Sequence, residues 1–155
     1  DCAIEYAHAR KLRVALNPSP FDDVISRCNL NYVDMLLINE VEGAELTGAA
    51  EPEQILSILR TQYMNLSVLL TLGEHGAIFV DSQGIRYHVP SVPCVVKDTT
   101  AAGDTFTGYF LTSYFKDYDV SRALAIAAAA SSIAVSREGA ASSIPYQCEV
   151  LTYMK

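Results

Sequence analysis

The sequence is short of positive charge. Lys and Arg number 11 against 18 Asp and Glu, which leaves a formal net charge of −7. That balance argues against a basic nucleic-acid footprint. An anionic ligand would need a local device, such as backbone amides at a helix start. Metal-binding cysteine pairs are missing too. Cys2, Cys28, Cys94 and Cys148 form no C-x-x-C, and no histidine stands at a zinc-finger spacing from them. They read as reduced and mostly structural, which suits a cytoplasmic protein. Long hydrophobic runs are also absent. The longest apolar stretch, Ala123 to Val135, is interrupted by Ser131 and Ser132 and is too short to span a bilayer. No signal-peptide pattern is visible. With 50% hydrophobic and 19% charged residues, the chain is neither disordered nor collagen-like.

What is present is the length of one ordinary domain, 155 residues. A chain of this size buries roughly 70% of its unfolded surface. Residues 1–10 carry small and apolar residues at helical spacing, as though the chain opened in mid-helix, and the natural start is expected upstream. Arg13 to Leu16 reads as a strand ending in the loop Asn17-Pro-Ser-Pro20, and Asp22 to Cys28 as a helical stretch. Met35-Leu-Leu-Ile38 and Val68 to Leu72 are continuous apolar runs, the mark of strands buried on both faces. Between them, Val41 to Leu46 reads as a helix stopped by Thr47-Gly48, and Pro52 opens an amphipathic helix through Tyr63. Gly73 to Gly76 reads as a tight turn. Ala77–Val80 and Ile85–Val89 read as strands around Asp81-Ser-Gln-Gly84. Ala102–Phe115 and Arg122–Val135 are long helices, and Cys148–Met154 a last one. Strands alternating with helices predict one α/β domain with a mainly parallel sheet.

The strongest chemical signal is Asp98-Thr-Thr-Ala-Ala-Gly-Asp-Thr-Phe-Thr-Gly108. Ala101, Ala102 and Gly103 let a ligand approach the backbone, and N–H groups at a helix start favour an anion. Asp104 in the first turn is placed to take a proton from a hydroxyl attacking a phosphoryl group. The plainer reading is a helix N-cap by Asp98 or Thr100 followed by a first-turn acid. This is not a Walker P-loop, since no Lys follows the glycine. Asn39 and Glu42 follow a buried strand, at the carboxyl edge where α/β ligands bind. Glu42 could organise a hydrated Mg²⁺, or Glu40 and Glu42 could be two solvated acids at a helix start, favoured by its dipole. Thr71, Gly73 and Gly76 could admit a nucleotide, or form only a β-turn. The helix from Ala123 to Val135 reads as buried.

Together these segments resemble the ribokinase family of sugar kinases. Asp98 to Phe106 is similar to its D-T-x-[GA]-A-G-D-x-F signature, Asn39-x-x-Glu42 to its N-x-x-E, and Thr71-Leu-Gly73 to its T-x-G. Asn17-Pro-Ser-Pro20 resembles its N-P-[AS]-P, and Ser136 to Ala140 with Ser143-Ile-Pro145 its tail segment. The resemblance implies a ribokinase-like three-layer α/β sandwich, of which residues 1–155 would be the C-terminal nucleotide-binding and catalytic part, without the N-terminal part and lid. It implies transfer of the γ-phosphoryl group of ATP to a primary hydroxyl of a sugar, with D-ribose favoured. Fructose, 2-keto-3-deoxygluconate and nucleosides stay open as substrates, and so does a non-catalytic nucleotide-binding module. By resemblance, Asp104 is the catalytic base that meets the substrate, and the amides of Ala101, Ala102 and Gly103 form the anion hole. Asn39 and Glu42 serve the Mg²⁺–phosphate region. Asn39, Thr71, Gly73 and Gly76 line the nucleotide. Asp98, Thr100, Ala134, Arg137, Gly139 and Ser143 hold a K⁺ ion, mostly through backbone carbonyls.

Two departures from the family pattern stand out. Ala101 replaces the more common first glycine of G-A-G-D. An Asn or His often found against adenine is replaced by alanine near Ala127 or Ala128, so that contact is expected to be apolar. Family members run to about twice this length, the size of a large single α/β domain. The expected partners are therefore a sugar and either a second copy or a separate N-terminal part that covers an apolar sheet edge, with no nucleic acid and no membrane.

Overall fold

The computed structural model describes residues 2–19, 21, 25–117 and 119–155. Pro20 of Asn17-Pro-Ser-Pro20, and Asp22 to Val24 of the expected helical stretch, lie outside them. The chain divides into two compact units, residues 1–72 with 78–86 and residues 73–77 with 87–155. In chain order the elements are α1 (Cys2–Ala9), β1 (Ala15–Leu16), β2 (Met35–Asn39), α2 (Glu40–Thr47), α3 (Pro52–Gln62), β3 (Ser67–Thr71), β4 (Ala77–Val80), β5 (Arg86–Val89), α4 (Ala102–Asp117), α5 (Val120–Val135) and α6 (Gln147–Tyr153). Short 3₁₀ turns cover Ile25–Arg27, Leu30–Tyr32 and Gly73–His75. The fold is mixed α/β, with a five-stranded sheet in the order β1-β2-β3-β4-β5. No helix among the described residues is long and apolar enough to cross a membrane.

The first unit is built on strand-end bonding and an aliphatic core. β1, β2 and β3 run parallel, with Leu16 opposite Leu36 and Asn39 opposite Thr71. Asp34 ties their amino ends together. Its carboxylate accepts the Val14 N–H at 2.7 Å, and its carbonyl accepts the Ser67 N–H at 3.0 Å. Alternate residues Leu36, Ile38, Val68 and Leu70 share one core with Ile55, Leu56 and Leu59 of α3. Leu37 and Leu69, on the opposite face, are buried as well, so both strands are covered on two sides as their apolar runs predict. α3 starts with Pro52 in its first turn, where the missing N–H costs nothing. α2 ends where Gly48 turns left-handed at φ 74°. The connection over residues 72–76 is too short for a parallel crossover, so β4 returns beside β3. β4 and β5 are joined by a tight turn in which the Asp81 carboxylate accepts the N–H groups of Gln83 and Ile85 at 2.9 and 2.8 Å.

The second unit packs on small side chains. α4 and α5 lie against one another extensively. Ala123, Ala127, Ala130 and Ala134 recur at helical spacing along α5, and all are buried. Ser132 satisfies its hydroxyl on the Tyr153 hydroxyl of α6 at 3.3 Å. The expectation of mostly structural cysteines is corrected here. Cys2, Cys94 and Cys148 are exposed and in no disulfide, so their thiols fill no core.

Candidate active site

Asn39 ends β2 and caps α2. Its side-chain oxygen accepts the Glu42 N–H at 2.9 Å, and Glu42 Oε2 accepts the Asn39 N–H at 2.9 Å. The N-x-x-E pattern is therefore a reciprocal capping box, two orphan N–H groups satisfied by three-residue spacing. Glu42 is buried. The box leaves the Asn39 amide nitrogen and the second Glu42 oxygen for other partners. In register with Asn39, Thr71 ends β3 with its hydroxyl 3.4 Å from the Ile38 carbonyl oxygen. The carboxyl ends of two adjacent parallel strands thus carry Asn39 and Thr71, with Glu42 in the first turn of α2. No group of three or more His, Cys, Asp or Glu gathers as a metal cage among the described residues. A single carboxylate with a free oxygen fits Mg²⁺, which keeps most of its waters.

Gly73 and Gly76 differ in why they are glycine. A Cβ on Gly73 would meet nothing within 4 Å, and only its φ of 53° asks for glycine. A Cβ on Gly76 would fall 2.0 Å from the Val89 carbonyl oxygen. The close approach of the chain at Val89 accounts for Gly76 without a ligand, whereas the space over Gly73 is open.

In the second unit, Asp98 does not cap α4 and neither does Thr100, contrary to the plainer reading of this segment. The Asp98 Oδ1 accepts the Thr100 N–H at 2.9 Å, and Oδ2 accepts the Gly139 N–H at 3.0 Å. The Thr100 side chain and amide, with the Gly139 amide, hold the Asp98 carboxyl below its ordinary pKa. Its own N–H, like that of Lys97, donates to the Val135 carbonyl, at 3.2 and 2.8 Å. Asp98 therefore stitches the segment before α4 to the segment after α5.

Released from capping, the amino end of α4 is left open. The Ala102 N–H turns back to the Thr99 carbonyl at 3.2 Å, and the Thr105 N–H bonds the Ala101 carbonyl at 2.9 Å. Of the three amides expected to form an anion hole, that of Ala102 is thus engaged in the turn. The N–H groups of Ala101 and Gly103, joined by that of Asp104, have no acceptor among the described residues. Ala101 has φ 68°, a left-handed conformation that costs an L-residue about 1–2 kcal/mol. That is the physical reason a glycine is the easier residue there. Asp104 lies in the first turn of α4 and is exposed. The next residue, Thr105, is buried, and its hydroxyl has no partner among the described residues.

Of the remaining residues expected at a cation site, Ala134 lies in the last turn of α5 and Arg137, Gly139 and Ser143 in the loop that follows it. The Ala134 carbonyl accepts the Arg137 N–H at 3.1 Å. The buried Ser143 hydroxyl donates to the Ala140 carbonyl at 2.7 Å. Asp98, Thr100 and Gly139 are linked directly by the bonds above. The segment from Ala134 to Ser143 offers carbonyl oxygens and Asp98, before α4, a carboxylate, hard oxygen donors of the kind a cation without soft-ligand preference takes.

Ala127 and Ala128 are buried in α5, so packing accounts for their small size. Ser131 was missed by the sequence reading as a site residue. Its hydroxyl donates to the Ala102 carbonyl at 3.1 Å and pins the first turn of α4 to α5. The available signal was a hydroxyl inside an alanine-rich helix, which must find an acceptor if buried.

The comparisons with known proteins bear on family and fold. The model of the pfkB family carbohydrate kinases matches residues 1–147. Ribokinase of Schizosaccharomyces pombe is 35% identical over 157 residues, covering 97% of this chain and 49% of that protein. Ribokinase of Haemophilus influenzae is 31% identical over 159 residues, covering 100% of this chain and 51% of that protein. The structure of Arabidopsis thaliana ribokinase complexed with ribose and ATP superposes with a TM-score of 0.83 at 28% identity, over 98% of this chain and 50% of that one. The chain spans about half the length of the curated relatives it matches. With matches of this extent the ribokinase-like α/β fold is established, and the chain belongs to the pfkB family of carbohydrate kinases.

Proposed function

We propose that this chain is the nucleotide-binding and catalytic part of an ATP-dependent sugar kinase, acting in the cytoplasm on a primary hydroxyl, with D-ribose the favoured acceptor. One observation carries the reading. An exposed Asp104 stands in the first turn of a helix whose opening N–H groups are uncommitted, because Asp98 is bonded elsewhere. The ribose and ATP of the Arabidopsis relative support the choice of substrates.

In this reading Asp104 accepts the proton of the attacking hydroxyl, which raises the oxygen's nucleophilicity at the moment of attack. The N–H groups at the opening of α4 hold the transferring phosphoryl group and offset the charge on its oxygens. Thr71 and Gly73 take the nucleotide. Asn39 and Glu42, oriented by their capping box, hold the water shell of Mg²⁺. That ion, when bound, supplies charge neutralisation on the phosphates. The carbonyls of the Ala134–Ser143 segment, with Asp98 and Thr100, take K⁺ and so shape the turn that opens α4. A second copy of the chain, or a separate N-terminal part, would complete the sugar site.

The test is ATP consumption by the chain across a sugar panel, with Mg²⁺ and with K⁺ or Na⁺ at fixed ionic strength. Turnover with ribose and stimulation by K⁺ are expected. Turnover with fructose, 2-keto-3-deoxygluconate or a nucleoside would redirect the substrate. Nucleotide binding with no turnover on any sugar would favour a catalytic part that lacks its sugar-binding partner, and no turnover once that partner is supplied would favour a non-catalytic nucleotide-binding module.

A further inference from the structure

The loop between α5 and α6 is anchored at two points, through the Arg137 side chain and through Tyr109. Arg137 Nη2 donates to Glu149 Oε1 on α6 at 2.6 Å. The other oxygen of Glu149 accepts the Tyr146 N–H at 2.7 Å and caps α6. The Arg137 guanidinium and the Tyr146 amide hold the Glu149 carboxyl below its ordinary pKa. Tyr109 of α4 donates its hydroxyl to the Pro145 carbonyl at 2.6 Å. Between these anchors the loop is tight. Gly139 has φ 97°, and a Cβ on it would fall 2.5 Å from the Ser142 hydroxyl oxygen. From this loop the Gly139 N–H reaches Asp98, 41 positions earlier in the chain.

We propose that Arg137 and Glu149 form a positioning pair for the opening of α4: by clamping the α5–α6 loop they keep the Gly139 N–H on Asp98, which fixes the turn over Thr100 and Ala101. The inference rests on the reading that the opening N–H groups of α4 receive the transferring phosphoryl group. Neither residue of the pair touches substrate in this scheme. Each side chain of the pair is 37% exposed, and an ion pair this open adds little to global stability. Its removal therefore loosens the loop and leaves the chain folded.

Two measurements on Arg137→Gln, with Arg137→Lys as the conservative variant, test the clamp. The first is amide hydrogen exchange. Arg137→Gln is expected to speed exchange about tenfold at both Gly139 and Thr100, with Leu36 and Leu69 unchanged as a check on folding. Arg137→Lys, which keeps the charge pair, is expected to stay near wild type. Faster exchange at Gly139 with none at Thr100 would overturn the coupling, and so would no change at either amide.

The second is calorimetry of ADP with and without aluminium fluoride, a planar stand-in for the phosphoryl group, with Mg²⁺, ribose and the part that completes the sugar site present. In the wild-type chain fluoride is expected to tighten ADP binding. In Arg137→Gln that gain should fall by about tenfold while binding of ADP alone is unchanged, because misplacement at the reacting group is felt most there. A full gain in Arg137→Gln would overturn the positioning role and leave the phosphoryl reading intact. No gain in the wild-type chain would overturn the phosphoryl reading, and the positioning role with it, whatever the exchange data give.

Discussion

Asn39 and Glu42 complete one another across three residues of chain, whereas Asp98 is completed by Gly139 at a separation of 41. The first unit sets its polar groups with a local code at the end of a strand buried on both faces. The second sets its groups with long-range bonds between loops, and carries one left-handed alanine and several N–H groups with no acceptor among the described residues. The cores differ in the same sense. Leucine, isoleucine and valine fill the first, and alanine sets the close packing of α5 in the second. A self-contained end of this kind tolerates distant changes. An assembled end, whose donors have no acceptor among the described residues, depends on everything that assembles it.

The sharpest way to break that comparison is Asp104→Asn. If the second unit carries the chemistry, turnover of the kinase falls by about 10²–10⁴-fold, the range for losing a general base. ATP affinity measured by calorimetry stays within about twofold, a change of under half a kcal/mol. Retained turnover would move the base elsewhere.

Packing changes of opposite sign come next. Leu36→Ala removes fully buried volume from the first unit and should cost about 2–5 kcal/mol in urea denaturation. Ala127→Leu adds volume to the second and should cost about 1–3 kcal/mol. A neutral Ala127→Leu would mean that α5 is less closely packed than its buried alanines indicate.

Breaking the local code is expected to cost less. Asn39→Ala removes one side of the capping box and should lower stability by about 1 kcal/mol, read from the same denaturation curves. Asp98 responds to pH in a defined direction. Its folded pKa is depressed, so the stability it adds is present above the unfolded carboxylate pKa and is lost as pH falls through the folded value. Protection of the Gly139 amide should survive mild acid, disappear below the ordinary carboxylate range, and be absent at neutral pH in Asp98→Asn.

The smallest effect is expected from Ala101→Gly. Relief of the left-handed conformation offsets the extra freedom glycine gives the unfolded chain, for a net gain of up to about 1 kcal/mol. A loss of stability would indicate that the alanine methyl makes a compensating contact.

Much of the fold was readable because its rules are local. Pro52 in a first turn, Gly48 past a helix end, the Asp81 turn and the two apolar strand runs each depend on neighbours within a few residues, and each element formed where these signals placed it. The order of motifs likewise identified the family. The site was readable only as a set of residue types. The same acid at Asp98 could cap a helix or bridge two loops, and nothing within its own segment distinguishes these. Gly73 and Gly76 look alike in the sequence, yet one faces open space and the other a carbonyl.

The sequence by itself determined the order and type of the elements, the capping box on α2 and the placement of Asp104 in a first helical turn. Those outcomes follow from side-chain period and short-range hydrogen bonding. Tertiary structure alone decided that Asp98 spends both oxygens on Thr100 and Gly139, that Ala101 turns left-handed, and that Ser131 pins the opening of α4. The Asp98–Gly139 and Ser131–Ala102 bonds join segments 41 and 29 positions apart and exist only once packing has brought them together, and the local turn over Thr100 and Ala101 is held between them.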